Sequence, residues 1–238
     1  MMHAQLAVFD MIGTTVADGN AIHRCLGEAL KAVGIPVTHG ALKALMGVAR
    51  PQAIRLLIEY TPQEAAERGN DDYDDNALIA RIHADYFDRL LRCYQSGPDV
   101  CEVPGATATF RALREEGVKI AVDTGSPRPL ADALVGRLGW ADAGLIDAVV
   151  ASNEVPLGRP APDAIFRAME LTRVSEARSV ARIGSSPIDL RQGAAAGCGW
   201  VIGIAGQNLD EPAEWEGTYY THLVPTIAAV PAFLSVPL

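Results

Sequence analysis

The chain has 238 residues, a formal net charge of −9, 49% hydrophobic and 21% charged residues. That composition predicts a packed globular core, large enough for one α/β domain with an insert, and excludes a disordered chain. The acidic balance argues against nucleic acid or an anionic membrane as partner, yet leaves room for a small anionic substrate held by a few local cations.

The start, MMHAQLAVFD, lacks the basic and long apolar regions of a signal peptide. No apolar run approaches the roughly 18 residues of a membrane span. Cys25, Cys93, Cys101 and Cys198 have neither C-x-x-C nor zinc-ligand spacing. A cytoplasmic protein with free thiols is expected.

In chain order, Leu6-Ala7-Val8-Phe9 is the first buried-strand candidate. Residues 20–95 then break any strand pattern and predict successive helices near 20–33, 40–46, 50–60 and 74–95. The last has Leu78, Ile79, Ile82, Tyr86, Leu90 and Leu91 at helical spacing. The acidic run Asp71, Asp72, Asp74, Asp75 lacks the Gly and distal Glu of a calcium loop and predicts a solvated turn. Gln95-Ser96-Gly97-Pro98 is the expected return hinge. Beyond it, the strand candidates are Val118 to Val122, Val149-Val150, Val180 to Ile183 and Trp200 to Ile204. They alternate with helices near 105–116, 127–138, 162–171 and 188–197, and Gly117 is the stop signal of the first. This alternation predicts a Rossmann-like parallel sheet. The expected division is a core of about 1–16 plus 98–238 and a helical insert of about 17–97.

In a parallel α/β sheet, ligands bind at the carboxyl ends of strands. Four such ends carry suggestive residues. Asp10, after the first strand and before Ile12-Gly13-Thr14-Thr15, can be a nucleophile or metal ligand, or simply a turn residue. Thr124-Gly125-Ser126-Pro127 can hold phosphate oxygens at a helix start, or cap the helix. Arg159, in the Pro-bounded loop GRPAPD, can bind an oxyanion. Gly184-Ser185-Ser186-Pro187-Ile188-Asp189 can anchor a cation or orient Arg159, or be a capping loop.

Their order resembles the four-motif series of the haloacid dehalogenase superfamily over nearly the whole chain. DMIGTTV, LMGVAR, GRPAPDAIFRAME and GSSPIDLRQGAAAGCGW look most like its phosphonatase branch. The resemblance implies a Rossmann-like core, a mobile helical cap at 17–97, and usually Mg²⁺. Asp10 would attack phosphorus and water would hydrolyse the covalent intermediate. Thr124, Gly125 and Ser126 would hold the phosphoryl group, and Arg159 would neutralise it. Arg50 and Met46 of the cap would read the substrate. Asp10, the backbone carbonyl of Ile12, Asp189 and Ser185 would form a weak or absent metal site. A homodimer through the caps is one arrangement the resemblance allows.

Four positions depart from the family pattern. Ile12 stands where most family phosphatases carry a second Asp that protonates the leaving group. Arg50 stands where phosphonatases carry an imine-forming lysine, so classical phosphonoacetaldehyde hydrolysis is not expected. Ser185 stands where an Asp binds the metal, and a hydroxyl is a weaker ligand for a hard cation. The motif-three lysine is Arg159, which keeps the positive charge. The leading expectation is a phosphatase on a small phosphate ester. The alternatives are a non-catalytic anion-binding homologue and a metal-independent, dehalogenase-like hydrolase.

Overall fold

The computed structural model describes residues 3–45, 48–60, 75–206, 215 and 217–234. The described chain divides into two compact units, Met1–Asp18 with Asp99–Leu238, and Gly19–Pro98.

The larger unit is built on a parallel sheet. Its strands are β1 (Leu6–Asp10), β4 (Lys119–Asp123), β5 (Ala148–Val150), β6 (Val180–Gly184), β7 (Trp200–Ile204) and β8 (His222–Val224). They lie in the order β5-β4-β1-β6-β7-β8. A separate antiparallel pair joins β2 (Val16–Ala17) to β3 (Cys101–Glu102), on either side of the insert. The helices of this unit are α5 (Ala106–Glu115), α6 (Arg128–Leu138), α7 (Asp163–Thr172), α8 (Pro187–Ala196) and α9 (Val230–Leu234).

β1 is central and wholly buried, which is why its sequence is a continuous apolar run rather than an alternating one. Its alternate side chains still separate by face. Leu6 and Val8 join Ala121, Val180, Ile165 of α7 and Leu190 of α8 in one cluster. On the other side Phe9 meets Phe110 of α5 edge-on at 5.1 Å, and Phe110 meets Trp140 likewise. Gly117, at φ 82°, ends the turn after α5 as its sequence position predicts.

The smaller unit contains α1 (Ala21–Ala32), α2 (His39–Ala44), α3 (Arg50–Tyr60) and α4 (Asp75–Ser96). α4 packs on α1 and α3. Its Leu78, Ile79, Ile82, Tyr86 and Leu90 are buried, at the spacing read from sequence. Gln95 and Ser96 complete α4, so the expected hinge shortens to Gly97 and Pro98. Asp71, Asp72 and Asp74 of the acidic run lie outside the described residues. No helix among the described residues is long and apolar enough to cross a membrane.

Candidate active site

The pleat and register of three parallel strands build the centre of the site. Asp10 continues the Leu6–Val8 face of β1, Asp123 the Ala121 face of β4, and Arg182 the Val180 face of β6, because side chains of a strand repeat every two residues. Asp10 is the register partner of Asp123, and Val8 that of Arg182. Two carboxylates and a guanidinium therefore share one face at neighbouring strands.

Arg159 reaches this centre from the loop before α7. One turn of that loop is closed by Ala161 N–H donating to Gly158 O at 3.1 Å. Gln192 of α8 donates to Ala161 O at 3.2 Å and ties the loop to the sheet side. From there Arg159 Nη1 donates to Asp10 Oδ1 at 2.6 Å and to Asp189 Oδ1 at 2.9 Å. Its Nη2 donates to Asp123 Oδ1 at 3.1 Å. Arg182 donates to the same two oxygens, to Asp123 Oδ1 and, at 2.7 Å, to Asp189 Oδ1. The arrangement is a buried lattice of three carboxylates and two guanidiniums.

Asp189 is held by its helix as well. Ser186 caps α8, and Asp189 three residues on accepts at Oδ2 from Ser186 N–H at 3.2 Å and Ser186 Oγ at 2.6 Å. This reciprocal cap also sets a carboxylate at the positive end of the helix. Two glycines leave the necessary room. A Cβ at Gly184 would stand 2.3 Å from Asp189 Cβ, and one at Gly193 of α8 would stand 2.8 Å from Arg182 Cβ.

Around Asp10 the chain turns tightly: the N–H groups of Thr14, Thr15 and Val16 all donate to Met11 O. Thr14 Oγ1 donates to Asp10 Oδ2 at 3.0 Å and stands 3.0 Å from Ser185 Oγ. A hydroxyl has one proton, so Ser185 donates to Thr14 when Thr14 serves Asp10. Burial pushes the Asp10 carboxyl up to about 6, opposed by the Arg159 guanidinium and assisted by Asp189. Burial also opposes the charge on Arg159, but Asp10, Asp123 and Asp189 outweigh it and hold the guanidinium protonated. Asp189 is likewise desolvated, yet Arg159 and Arg182 keep it below the usual carboxylate range.

Of the residues singled out from sequence, Asp10, Arg159, Asp189 and Ser185 are linked by these contacts. Thr124 follows Asp123 directly and accepts from Ser126 N–H at 3.1 Å, while its own N–H donates to Val150 O. Gly125 and Ser126 lead into α6. Arg50 opens α3 in the smaller unit, its guanidinium 5.5 Å from the Tyr86 ring centre. Met46 lies outside the described residues. Asp123, Arg182 and Thr14 were missed as participants. An arginine inside an otherwise apolar strand is the signal that marks Arg182, since such a charge is buried only when paired.

This donor set does not fit the Mg²⁺ that the sequence resemblance implies. Both oxygens of Asp10 and both of Asp189 already accept from cations, hydroxyls or N–H groups, and Ser185 is neutral and bonded to Thr14. No group of three or more His, Cys, Asp or Glu among the described residues could hold a metal ion.

Comparison with known proteins agrees with this architecture. The family model for haloacid dehalogenase-like hydrolases matches residues 4–197. The chain is 31% identical over 209 residues to a phosphonoacetaldehyde hydrolase of Bordetella avium, covering 84% of this chain and 71% of that one. It is 26% identical to a phosphoglycolate phosphatase of Rhodobacter capsulatus, covering 84% of each. Among solved structures, a phosphonoacetaldehyde hydrolase-like protein of Oleispira antarctica superposes with a TM-score of 0.75 at 16% identity, over 99% of this chain and 94% of that one. That likeness shows the fold, and the family model over most of the chain shows the lineage: this protein belongs to the haloacid dehalogenase-like hydrolases.

Proposed function

We propose that this hydrolase acts on small phosphate esters and acyl phosphates with good leaving groups, through an aspartyl-phosphate on Asp10. The observation that carries the reading is the Asp10 carboxylate at the end of the central strand, ion-paired at 2.6 Å to Arg159. An Asp10 oxygen attacks phosphorus and the bond to the leaving group breaks, its electron pair departing with that group. Water then attacks the same phosphorus, the bond to Asp10 breaks, and the carboxylate returns as inorganic phosphate leaves with the water's oxygen. Arg159 offsets the charge that gathers on the phosphoryl oxygens, and Asp189 orients it. Thr124 and the backbone at Gly125 and Ser126 are assigned to hold those oxygens, at the start of α6. Arg50 is assigned to substrate reading in the smaller unit.

Ile12 sets the substrate preference. It has no proton to give, so the departing oxygen must be a weak base. General acid help is worth about 10²–10⁴-fold, and aryl or acyl phosphates are expected to outrun alkyl esters on that order. The test is hydrolysis of p-nitrophenyl phosphate, acetyl phosphate and an alkyl phosphate by wild type and Asp10→Asn. Acid quenching during turnover should trap a phosphorylated Asp10 peptide. Turnover that survives Asp10→Asn overturns the reading, and halide release from a 2-haloacid would replace it with attack at carbon.

A further inference from the structure

The side chain of Arg182 is fully buried in β6, where a charge is tolerated only when it is paired. Its guanidinium binds Asp123 Oδ1 and Asp189 Oδ1, the same two oxygens that bind Arg159. α8 is admitted against its stem by the missing Cβ of Gly193. The fold thus holds a second fixed cation under the first, out of reach of solvent.

We infer that Arg182, acting with Arg159, takes over the charge role of a divalent cation, so that this site binds its anionic group without a metal ion. The inference rests on the hydrolase reading above and deepens it. Three carboxylates face two guanidiniums, one acidic group more than basic before any ion is added. Without Arg182 that imbalance doubles, and Arg159 alone would serve Asp10, Asp123 and Asp189. By occupying Asp123 and Asp189, Arg182 lessens their hold on Arg159 and leaves more of its charge for Asp10 and the incoming group. Mg²⁺ demands near-octahedral oxygen ligands and sheds water reluctantly. Here it would have to displace guanidinium or hydroxyl partners from Asp10 and Asp189. Asp123 Oδ2, which has no partner among the described residues, is buried and offers a single donor.

Arg182 is on this account a positioning residue, and its signature is opposite effects on two ligands. Inorganic phosphate binding is measured by calorimetry in chelator and in millimolar Mg²⁺. Mn²⁺, a paramagnetic stand-in, is followed by electron paramagnetic resonance. Wild type should bind phosphate equally in both media and leave Mn²⁺ free. Arg182→Met should weaken phosphate binding about 10- to 100-fold, the size of a charged hydrogen bond, and should bind Mn²⁺ better than wild type. Arg182→Lys keeps the charge and should restore most of the phosphate affinity. A merely structural role would lower binding of both ligands together. If Arg182→Met does not fold, wild type and Arg182→Lys decide. Phosphate binding that is absent in chelator, tight Mn²⁺ binding by wild type, or ester turnover that requires Mg²⁺ overturns the inference. Phosphate bound in chelator with no ester turned over would instead sink the hydrolase reading and support this one.

Discussion

Gly184→Ala offers a test in which two known effects have opposite signs. Gly184 is not in the left-handed region, so alanine costs no backbone strain. Through the unfolded state alone it should stabilise by about 0.4–1 kcal/mol. The structure demands the reverse. The new methyl would lie 2.3 Å from Asp189 Cβ, 2.5 Å from Cγ and 2.6 Å from Oδ2, where carbon atoms prefer about 3.5–4.0 Å. β6 is pinned between β1 and β7, so Asp189 must give way by more than ~1 Å. That retreat breaks its bonds to Arg182 at 2.7 Å and Arg159 at 2.9 Å. Overpacking costs about 1–3 kcal/mol, and breaking a buried ion pair costs about 3–5 kcal/mol. With partial relaxation the net loss should be about 3–5 kcal/mol. Urea unfolding measures it, with Gly136→Ala as control. Gly136 is exposed in α6 with open space at its Cβ, and its alanine variant should gain about 0.5–1 kcal/mol. If Gly184→Ala is as stable as wild type, Asp189 does not fold back over β6 and the ion lattice is wrongly drawn.

Ile12→Asp should raise alkyl phosphate turnover relative to aryl, in steady-state kinetics, most clearly when Ser185→Asp is combined with it; an unchanged ratio would mean that another group supplies the proton. Burial pushes the thiols of Cys25 up to about 11 and Cys198 up to about 12, while Cys101 is exposed. Peptide mapping after iodoacetamide at mildly alkaline pH should therefore find Cys101 alkylated first, and Cys25 and Cys198 only after unfolding. The hydrogen bond from Arg128 holds the Glu154 carboxyl below its ordinary 4.5, with Arg128 Nε donating to Oε1 at 2.9 Å. A depressed folded-state pKa gives stability that is present above 4.5 and lost as pH falls through the folded value. Glu154→Gln should accordingly be less stable by about 0.5–1 kcal/mol at neutral pH, allowing for its partial exposure. The difference should shrink in acid unfolding curves below pH 4.5.

The strands and helices were legible because burial writes periodicity into sequence. VKIAV and LAVF are runs that only a doubly covered strand needs. β8 was not legible: His222-Leu223-Val224 is three residues long, at the sheet edge, with Leu223 exposed. α9 is a five-residue helix opening on Val-Pro, too short to show a period. At the site, Asp10, Arg159 and Asp189 stood out because each sits at a strand end, in a loop or in a helix's first turn beside turn residues. Asp123 was hidden as the last letter before Thr124-Gly125, and Arg182 within a run counted as apolar. Their roles depend on which carboxylate lies across the sheet, which is a matter of strand order and register that no local pattern carries.

The central position of β1 also bears on how the chain reaches its fold on the ribosome. β1 precedes both of its partners in the chain, Lys119 onward in β4 and Val180 onward in β6. Until those segments are made, five apolar-rich residues ending in Asp10 have no neighbour to pair with, and contacts of such sequence separation form slowly. An unpaired apolar strand of this kind is the type of segment that chaperones cover and that aggregates when exposed. The described helices of Gly19–Pro98 precede both partner strands in the chain and can form before either exists, giving the nascent chain a first folded body. Asp10 consequently acquires its ion partner Arg159 only after the helices of the smaller unit and β4 have been made.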